Sequence, residues 1–513
     1  MARIYALVLL LVATVAPAQV APPRALTGPA PAAVPASVSF NKDVLPILQK
    51  NCQVCHRTGE AAPMSFLTYE STRPWAKAIK QAVSTKKMPP WFAEPGYSAF
   101  RNDPSLTPGE IAILTAWADS GAPEGDSRDK PKDKEWQSGW RIKPDVILSI
   151  PEAHQVPAKG TGEIKAFLVP NPFSQDTWVS AIEVRPGNPS VVHHVMLQVP
   201  EDIPAAQPFS WGGGAVSPCA AALQLGPQTD FNEALPIPIA TRLNGGNAQP
   251  SVPAPKNFAI LEAVYAPGSG PMDFSLYDSA KLIPGGGNLR IEVHYTPNGT
   301  ATSDQTRIGF KLADRPPQRR YVTLAPKSLA NTQQKIPAGA SNWETRGELE
   351  FGQDAQLVWL MPHMHLRGKD MTFSLVPSSG PVETVLNAKF NFNWQLGYEM
   401  EQPVRVRKGT RMVVVAHHDN SANNRYNPDP TKEVAWGDLT SDEMVLPWFG
   451  VIVENGADPE KILSIRQGGC NRGAAAALAF PLGIPGTPSN LPTIQIPGAP
   501  AVPTIPIPKL PGR

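Results

Sequence analysis

Over residues 140–480 the chain reads as short runs in which apolar and polar positions alternate or β-branched residues cluster. Val179-Ser180-Ala181-Ile182-Glu183-Val184, Leu289-Arg290-Ile291-Glu292-Val293 and Met412-Val413-Val414-Val415-Ala416 are three of them, each bounded by Gly and Pro turns. Such runs between turn residues are the signature of sandwich strands. Ahead of them the period changes. Residues 44–48 have helical spacing, 75–83 read as a short amphipathic helix, and Pro108–Asp119 as another. Thr107 stands as N-cap of this last helix, Pro108 at its first position and Gly121 just past its end. The pattern predicts a multi-domain chain. A small all-α domain at 38–126 is followed by two all-β, jelly-roll-like sandwiches at 140–335 and 336–480.

Composition supports that division. The 513 residues include 59 Pro and 40 Gly, which suit looped β-sandwiches better than long helices. Residues 19–37 form a Pro/Ala-rich linker, 127–134 a charged spacer and 481–513 a Pro-rich tail. A formal net charge of +2 provides no field for nucleic acid, which is excluded as a partner.

The first residues read as a signal peptide over 1–18. Arg3 precedes the apolar run 6–15, and Ala16-Pro17-Ala18 supplies a cleavage point before Gln19. A retained anchor is the alternative. No later apolar run reaches the ~18 residues of a membrane span, so no transmembrane segment is expected after signal removal. The expected location is periplasmic or secreted, in a bacterial cell envelope.

Cys52-Gln53-Val54-Cys55-His56 is the pattern for covalent c-type haem (heme c) attachment. The thiols add to the haem vinyl groups, and His56 reaches the iron. A redox disulfide or half of a zinc site are the competing readings, and the following His in an exported chain argues against both. Met88, in Lys87-Met88-Pro89-Pro90-Trp91, is the favoured sixth ligand, with Met64 as its rival. A thioether opposite His raises the potential, as electron transfer requires. The unit resembles small monohaem cytochrome c domains. Cys219 and Cys470 remain; whether they form a disulfide stays open.

The chain has nine His. Apart from His56 and the isolated His154, they group as His193-His194, His294, His363-Met364-His365 and His417-His418. Grouped imidazoles point to a metal without choosing among copper, zinc, iron and nickel. His363 and His365 share a face if they lie on a strand. His193 and His194 point to opposite faces of a regular strand, so they can share an ion only where the chain is irregular. His417-His418-Asp419-Asn420-Ser421 reads first as a loop organised by Asx turns, with a third metal or substrate contact as the alternative.

Four motifs occur in order: Val192-His193-His194-Val195-Met196, Ile291-Glu292-Val293-His294-Tyr295, Pro362-His363-Met364-His365-Leu366-Arg367-Gly368 and Thr440-Ser441-Asp442-Glu443-Met444. Over about 150–470 this set resembles the copper type II, ascorbate-dependent monooxygenases, the family of peptidylglycine α-hydroxylating and dopamine β-monooxygenases. The resemblance implies two copper ions. His193, His194 and His294 would hold one that stores and passes an electron. His363, His365 and Met444 would hold the other, catalytic one that meets dioxygen; a thioether favours Cu(I). Asp442 or Glu443 would support Met444. The family's reaction inserts one oxygen atom into a C–H bond and needs two electrons.

Departures limit the transfer. Glu292 stands where the animal enzymes have Gln, Met361 where the peptide enzyme has a substrate-binding Arg, and Trp448 where it has Tyr. The family's dense disulfides are missing, and peptide amidation is not carried over. The expectation is a haem-coupled copper monooxygenase acting on a small-molecule organic substrate, with dioxygen and an external electron donor as partners. Trp359 and Trp448 line an apolar pocket or belong to the core. A non-catalytic copper-binding or electron-transfer protein is the alternative, and a polymer-binding scaffold with an attached cytochrome the third reading.

Overall fold

The computed structural model describes residues 35–199, 258–326 and 335–464, less positions 36, 61, 137, 138, 161 and 438. The expected signal and tail, and both Cys219 and Cys470, lie outside the described residues. The chain is mostly β, with 39% of residues in strands and 13% in helices. Among the described residues no helix is long and apolar enough to cross a membrane.

The helices gather at the N-terminal end: Leu45–Asn51, Tyr69–Thr72, Ala76–Ser84 and Pro108–Asp119. The last begins at Pro108 because Thr107 and Glu110 form a capping box. The Thr107 hydroxyl accepts the Glu110 N–H at 3.2 Å, and the Glu110 carboxylate accepts the Thr107 N–H at 2.8 Å. These helices share a core that includes Phe40, Leu45, Leu48, Val83, Leu114 and Trp117. Trp117 is fully buried, and its Nε1 donates to the Pro123 carbonyl at 3.0 Å.

The expected strands fall inside Thr177–Arg185, Asn288–Tyr295 and Arg411–His418. They build three principal sheets. A ten-stranded sheet runs through both β regions. In its path Ser279–Ile283 lies parallel to Arg319–Pro326 over two residues, and Arg319–Pro326 lies antiparallel to Val445–Glu454. A four-stranded sheet holds Glu163–Pro170, Asn288–Tyr295, Val192–Gln198 and Ala263–Tyr265 in that order. A five-stranded sheet holds Glu383–Lys389, Gly368–Val376, Arg411–His418, Trp343–Phe351 and Leu463–Ser464. Arg319–Pro326 thus joins strands of both β regions within that one sheet.

Val445–Glu454 and Ala355–Met364 pair antiparallel and are buried on both faces. Side chains alternate along a strand. Val445, Phe449, Val451 and Val453 enter the core of the second β region, while Leu446, Trp448 and Ile452 enter the core of the first. Leu357, Leu360 and Met364 likewise face one core, Val358, Trp359 and Met361 the other. The skipped beat between 357 and 359 is a register shift against Val445–Glu454.

Residues 91–103 leave the helices and strap the second β region. Ala93 bridges Ala388 on the edge strand Glu383–Lys389, and Phe100 bridges Met400 on the edge strand Tyr398–Val406. Trp91 and Phe100 pack edge-on against Tyr398, with centroids 4.8 and 5.5 Å away. Covering both edges blocks the unpaired backbone groups that would otherwise template aggregation.

Candidate metal centres

The adjacent pair His193-His194 meets the expected obstacle by an irregularity. In the pairing of Val192–Gln198 with Asn288–Tyr295, His194 faces His294 but Tyr295 faces Val192. His193 is therefore the extra residue of a bulge, a device that re-aims a side chain. Its Nδ1 lies 2.9 Å from Nδ1 of His194. The His194 and His294 rings lie 3.7 Å apart, centroid to centroid. The bulge brings together what a regular strand would have separated.

His363 lies at the end of the strand Ala355–Met364 and His365 just past it, with rings 5.4 Å apart. His363 pairs with Leu446, and Met361 with Trp448. Met444 lies two residues from Leu446 and joins the same core cluster as Met361, Leu446 and Trp448. It shares with the His363 side the face turned to the first β region. His363 stands 5.6 Å from His194, ring to ring. The two groups named by the resemblance thus abut across the seam.

Hydrogen bonds fix which ring nitrogens carry protons. A carbonyl only accepts. His193 Nε2 donates to the Phe392 carbonyl at 2.8 Å, which leaves Nδ1 unprotonated. His194 Nδ1 must then donate to His193 Nδ1, and His194 Nε2 holds a bare lone pair, buried and without a hydrogen-bond partner. His294 Nε2 lies 2.9 Å from the Glu292 carboxylate and donates to it, which frees Nδ1. His365 Nδ1 donates to the Asp442 carbonyl at 3.3 Å, which frees Nε2. His363 Nδ1 meets Gln395 Oε1 at 2.6 Å. Imidazoles held at one nitrogen by protein acceptors and bare at the other are what a metal ion takes up. Among the described residues, no three His, Cys, Asp or Glu donors already stand in a coordination geometry. The His193–His194 hydrogen bond uses one of the lone pairs instead.

The electrostatics favour the ligand form. Burial, reinforced by the His294 imidazole, holds His193 at about 4. Burial does the same to His363, also at about 4, against the Gln395 hydrogen bond. His194 and His365 are held well below 6.5 by burial and by the other rings. Neutral imidazole is the form that binds metal. Burial pushes Glu292 up, but its bonds to His294 and Arg290 outweigh this and hold it below the usual carboxylate range.

Glu443 supports the His363 side from behind. It is fully buried and accepts the backbone N–H groups of His365 at 3.1 Å, Arg367 at 2.6 Å and Met444 at 3.3 Å. Burial pushes its carboxyl up to about 7 against these donors. His417 and His418 end a strand rather than opening the loop. His417 Nδ1 pairs with Asp370 at 2.6 Å, while His418 is fully buried with Nε2 at 3.7 Å from Glu443. The Asx turn follows, with Asp419 Oδ1 accepting the Ser421 N–H at 2.9 Å. Trp448 is core; Trp359 is buried and also lines a small cavity with Phe274, Tyr321 and Met400.

At the Cys52–His56 motif, the amides of Cys55 and His56 both bond the Cys52 carbonyl, at 3.1 and 2.9 Å. Both thiols are free, and burial pushes Cys52 up to about 12 and Cys55 in the same direction. His56 stacks on Phe66 at 4.3 Å. Its Nδ1 donates to the Met64 carbonyl at 3.3 Å, leaving Nε2 bare. Two free thiols beside an imidazole with a bare nitrogen fit covalent haem. Met64 packs with Cys52 against the helical core, whereas Met88 lies half-buried on the turn after Ala76–Ser84, its N–H on the Ala82 carbonyl.

Glu60 anchors this loop to the first β region. Its carboxylate lies 2.7 Å from Arg57 and 3.8 Å from both Arg141 and Arg185. Glu183 holds those two in turn, accepting the Arg141 N–H at 2.6 Å and pairing with Arg185 at 3.1 Å. Sequence reasoning missed Glu60, Arg141, Phe392 and Gln395, none of which lies in a spaced motif.

No protein-family model and no curated protein matches the chain. Solved structures similar to parts of it include viral shells. The infectious bursal disease virus VP2 subviral particle is 10% identical over 63% of this chain and 75% of that one, with a TM-score of 0.17. The T13 IBDV viral particle is 7% identical over 63% and 74%, with a TM-score of 0.16. Similarity this low carries no argument about fold or function.

Proposed function

We propose that the chain is an exported haem- and copper-containing oxidoreductase that hydroxylates a C–H bond of a small organic molecule with dioxygen. The observation that carries this reading is the meeting of His193, His194, His294, His363 and His365 at one seam. The rings there are hydrogen-bonded, burial keeps those of His193, His194, His363 and His365 neutral, and Met444 lies on the same face. Copper held there supplies one-electron redox chemistry and activation of dioxygen. His193, His194 and His294 would hold one ion, and His363, His365 and Met444 the other. Cys52, Cys55 and His56 would hold the haem, with Met88 or Met64 as the sixth ligand.

The chain's own residues do the rest. Glu292 and the Asp442 carbonyl orient His294 and His365. Burial of His194, His294, His363 and His365, at 4, 8, 4 and 3% exposure, keeps bulk water from the ligands. The Glu60 contacts hold the haem loop on the β region that carries His193 and His194, which suits electron delivery to that side.

A second reading, a copper-binding or electron-transfer protein without catalysis, is favoured by that same burial, since hydroxylation needs an open position beside a pocket. Metal analysis and optical spectra decide first, on protein from a host that matures c-type haem. One haem and about two coppers per chain are expected. One haem without copper ends the copper reading. With copper present, dioxygen uptake across a substrate screen separates the enzyme from the carrier.

A further inference from the structure

The two groups of imidazoles come from different β regions, yet a short segment of the second touches a histidine of each. The Phe392 ring stacks on His193 with centroids 4.5 Å apart and planes at 19°. The Phe392 carbonyl accepts from His193 Nε2 at 2.8 Å. Gln395 presents Oε1 to His363 Nδ1 at 2.6 Å, and its Nε2 faces the same Phe392 carbonyl at a long 3.5 Å.

Which way the Gln395 amide points, and hence the His363 tautomer, follows from that one carbonyl. An acceptor on Phe392 requires the nitrogen end of Gln395 to face it, so the oxygen end faces His363. His363 Nδ1 then carries the proton, and Nε2 carries the lone pair. The same carbonyl puts the proton of His193 on Nε2 and the lone pair on Nδ1. One backbone oxygen therefore sets the ligand-ready tautomer of a histidine in each group.

This inference rests on the copper reading above. The geometry points to residues 392–395 as a clamp in which Gln395 is a positioning residue for His363, and through which metal binding at one histidine group strengthens binding at the other. An ion on His193 fixes the Phe392 carbonyl, which fixes the Gln395 amide, which holds His363 ready. By linkage the effect runs equally in reverse. The segment needs no motion for this, only less freedom once either side is loaded.

The test is Cu(I) binding to the haem-loaded full chain, measured by competition with a chromophoric Cu(I) chelator. Five proteins are compared: wild type, Gln395→Leu, Gln395→Glu, His365→Ala and the double variant His365→Ala with Gln395→Leu. Gln395→Leu removes the acceptor, and its affinity at the His363 side is expected to fall by about 10- to 100-fold, the usual effect of losing a partner that orients a ligand. Gln395→Glu keeps an acceptor against Nδ1 and is expected to restore most of the loss. His365→Ala weakens the His363 side, and affinity at the His193 side is expected to fall with it. Adding Gln395→Leu should abolish that cross-effect. Nitrogen-15 shifts of labelled histidines report the tautomer directly, and His363 is expected to lose its Nδ1–H form in Gln395→Leu alone. Two coppers bound equally well by wild type and by a folded Gln395→Leu would overturn the clamp and leave the copper reading standing. Unchanged affinity at the His193 side in His365→Ala would overturn the coupling. A wild type that binds no copper overturns the copper reading and the clamp with it.

Discussion

His194 and His363 stand 5.6 Å apart, ring centroid to ring centroid, with planes at 77°, although each rides on a different sheet. Ions held by the two histidine groups would sense one another magnetically if they sat as close as these rings. With both loaded as Cu(II), the electron paramagnetic resonance signal is expected to be broadened and to account for less than all the copper. His294→Ala, which cripples one group, should restore a sharp signal from the other. A sharp, fully counted signal from the doubly loaded wild type would contradict the adjacency.

The buried rings also set a pH dependence. His193 and His363 titrate at about 4 in the fold, against 6.5 for a free imidazole. Between those values the unfolded chain binds protons that the folded chain refuses. Stability from these rings is therefore full above pH 6.5 and is lost as pH falls towards about 4. The Tm of copper-free protein should drop through this window. Replacing His193 and His363 together by Asn should flatten the drop; an unchanged slope would refute the neutral-ring picture.

Glu443 is the acceptor for three backbone amides that lie just outside strands, those of His365, Arg367 and Met444. Glu443→Ala strands those donors, at about 1–3 kcal/mol each when buried. A loss above ~3 kcal/mol in denaturant unfolding is expected, with Glu443→Gln intermediate because it keeps one acceptor oxygen. A Glu443→Ala cost below ~1 kcal/mol would show that water reaches the amides and that the carboxylate does not organise this corner.

Glu60→Lys puts a cation among Arg57, Arg141 and Arg185. In the wild type, reoxidation of the reduced haem by copper is expected to be independent of solvent viscosity, as for a docked donor. In Glu60→Lys it should slow and become viscosity-dependent, because the loop must find its place again. Stopped-flow spectra in graded glycerol read both. Identical kinetics in the two proteins would remove Glu60 from the docking contact.

Some of this was legible in the sequence because its cause is local. The Thr107 cap and the strand run 412–416 depend on neighbours a few residues away, and the structure has them in Pro108–Asp119 and Arg411–His418. The rest depends on register between distant strands. That His193 is a bulged residue is decided by its pairing with Tyr295 and His294, not by its own segment. Gln395 lies in no repeat; it matters because the sheets bring it to His363. The junction strand Arg319–Pro326 looks like any other run until its pairing with Val445–Glu454 is known.

That pairing makes separation impossible. Val445–Glu454 contributes alternate side chains to two cores, so melting either core strips one face of a strand the other requires. The two β regions are expected to unfold as a single cooperative unit, so calorimetry should record one β transition with no half-molten intermediate. Either half, expressed alone, is expected to remain unfolded.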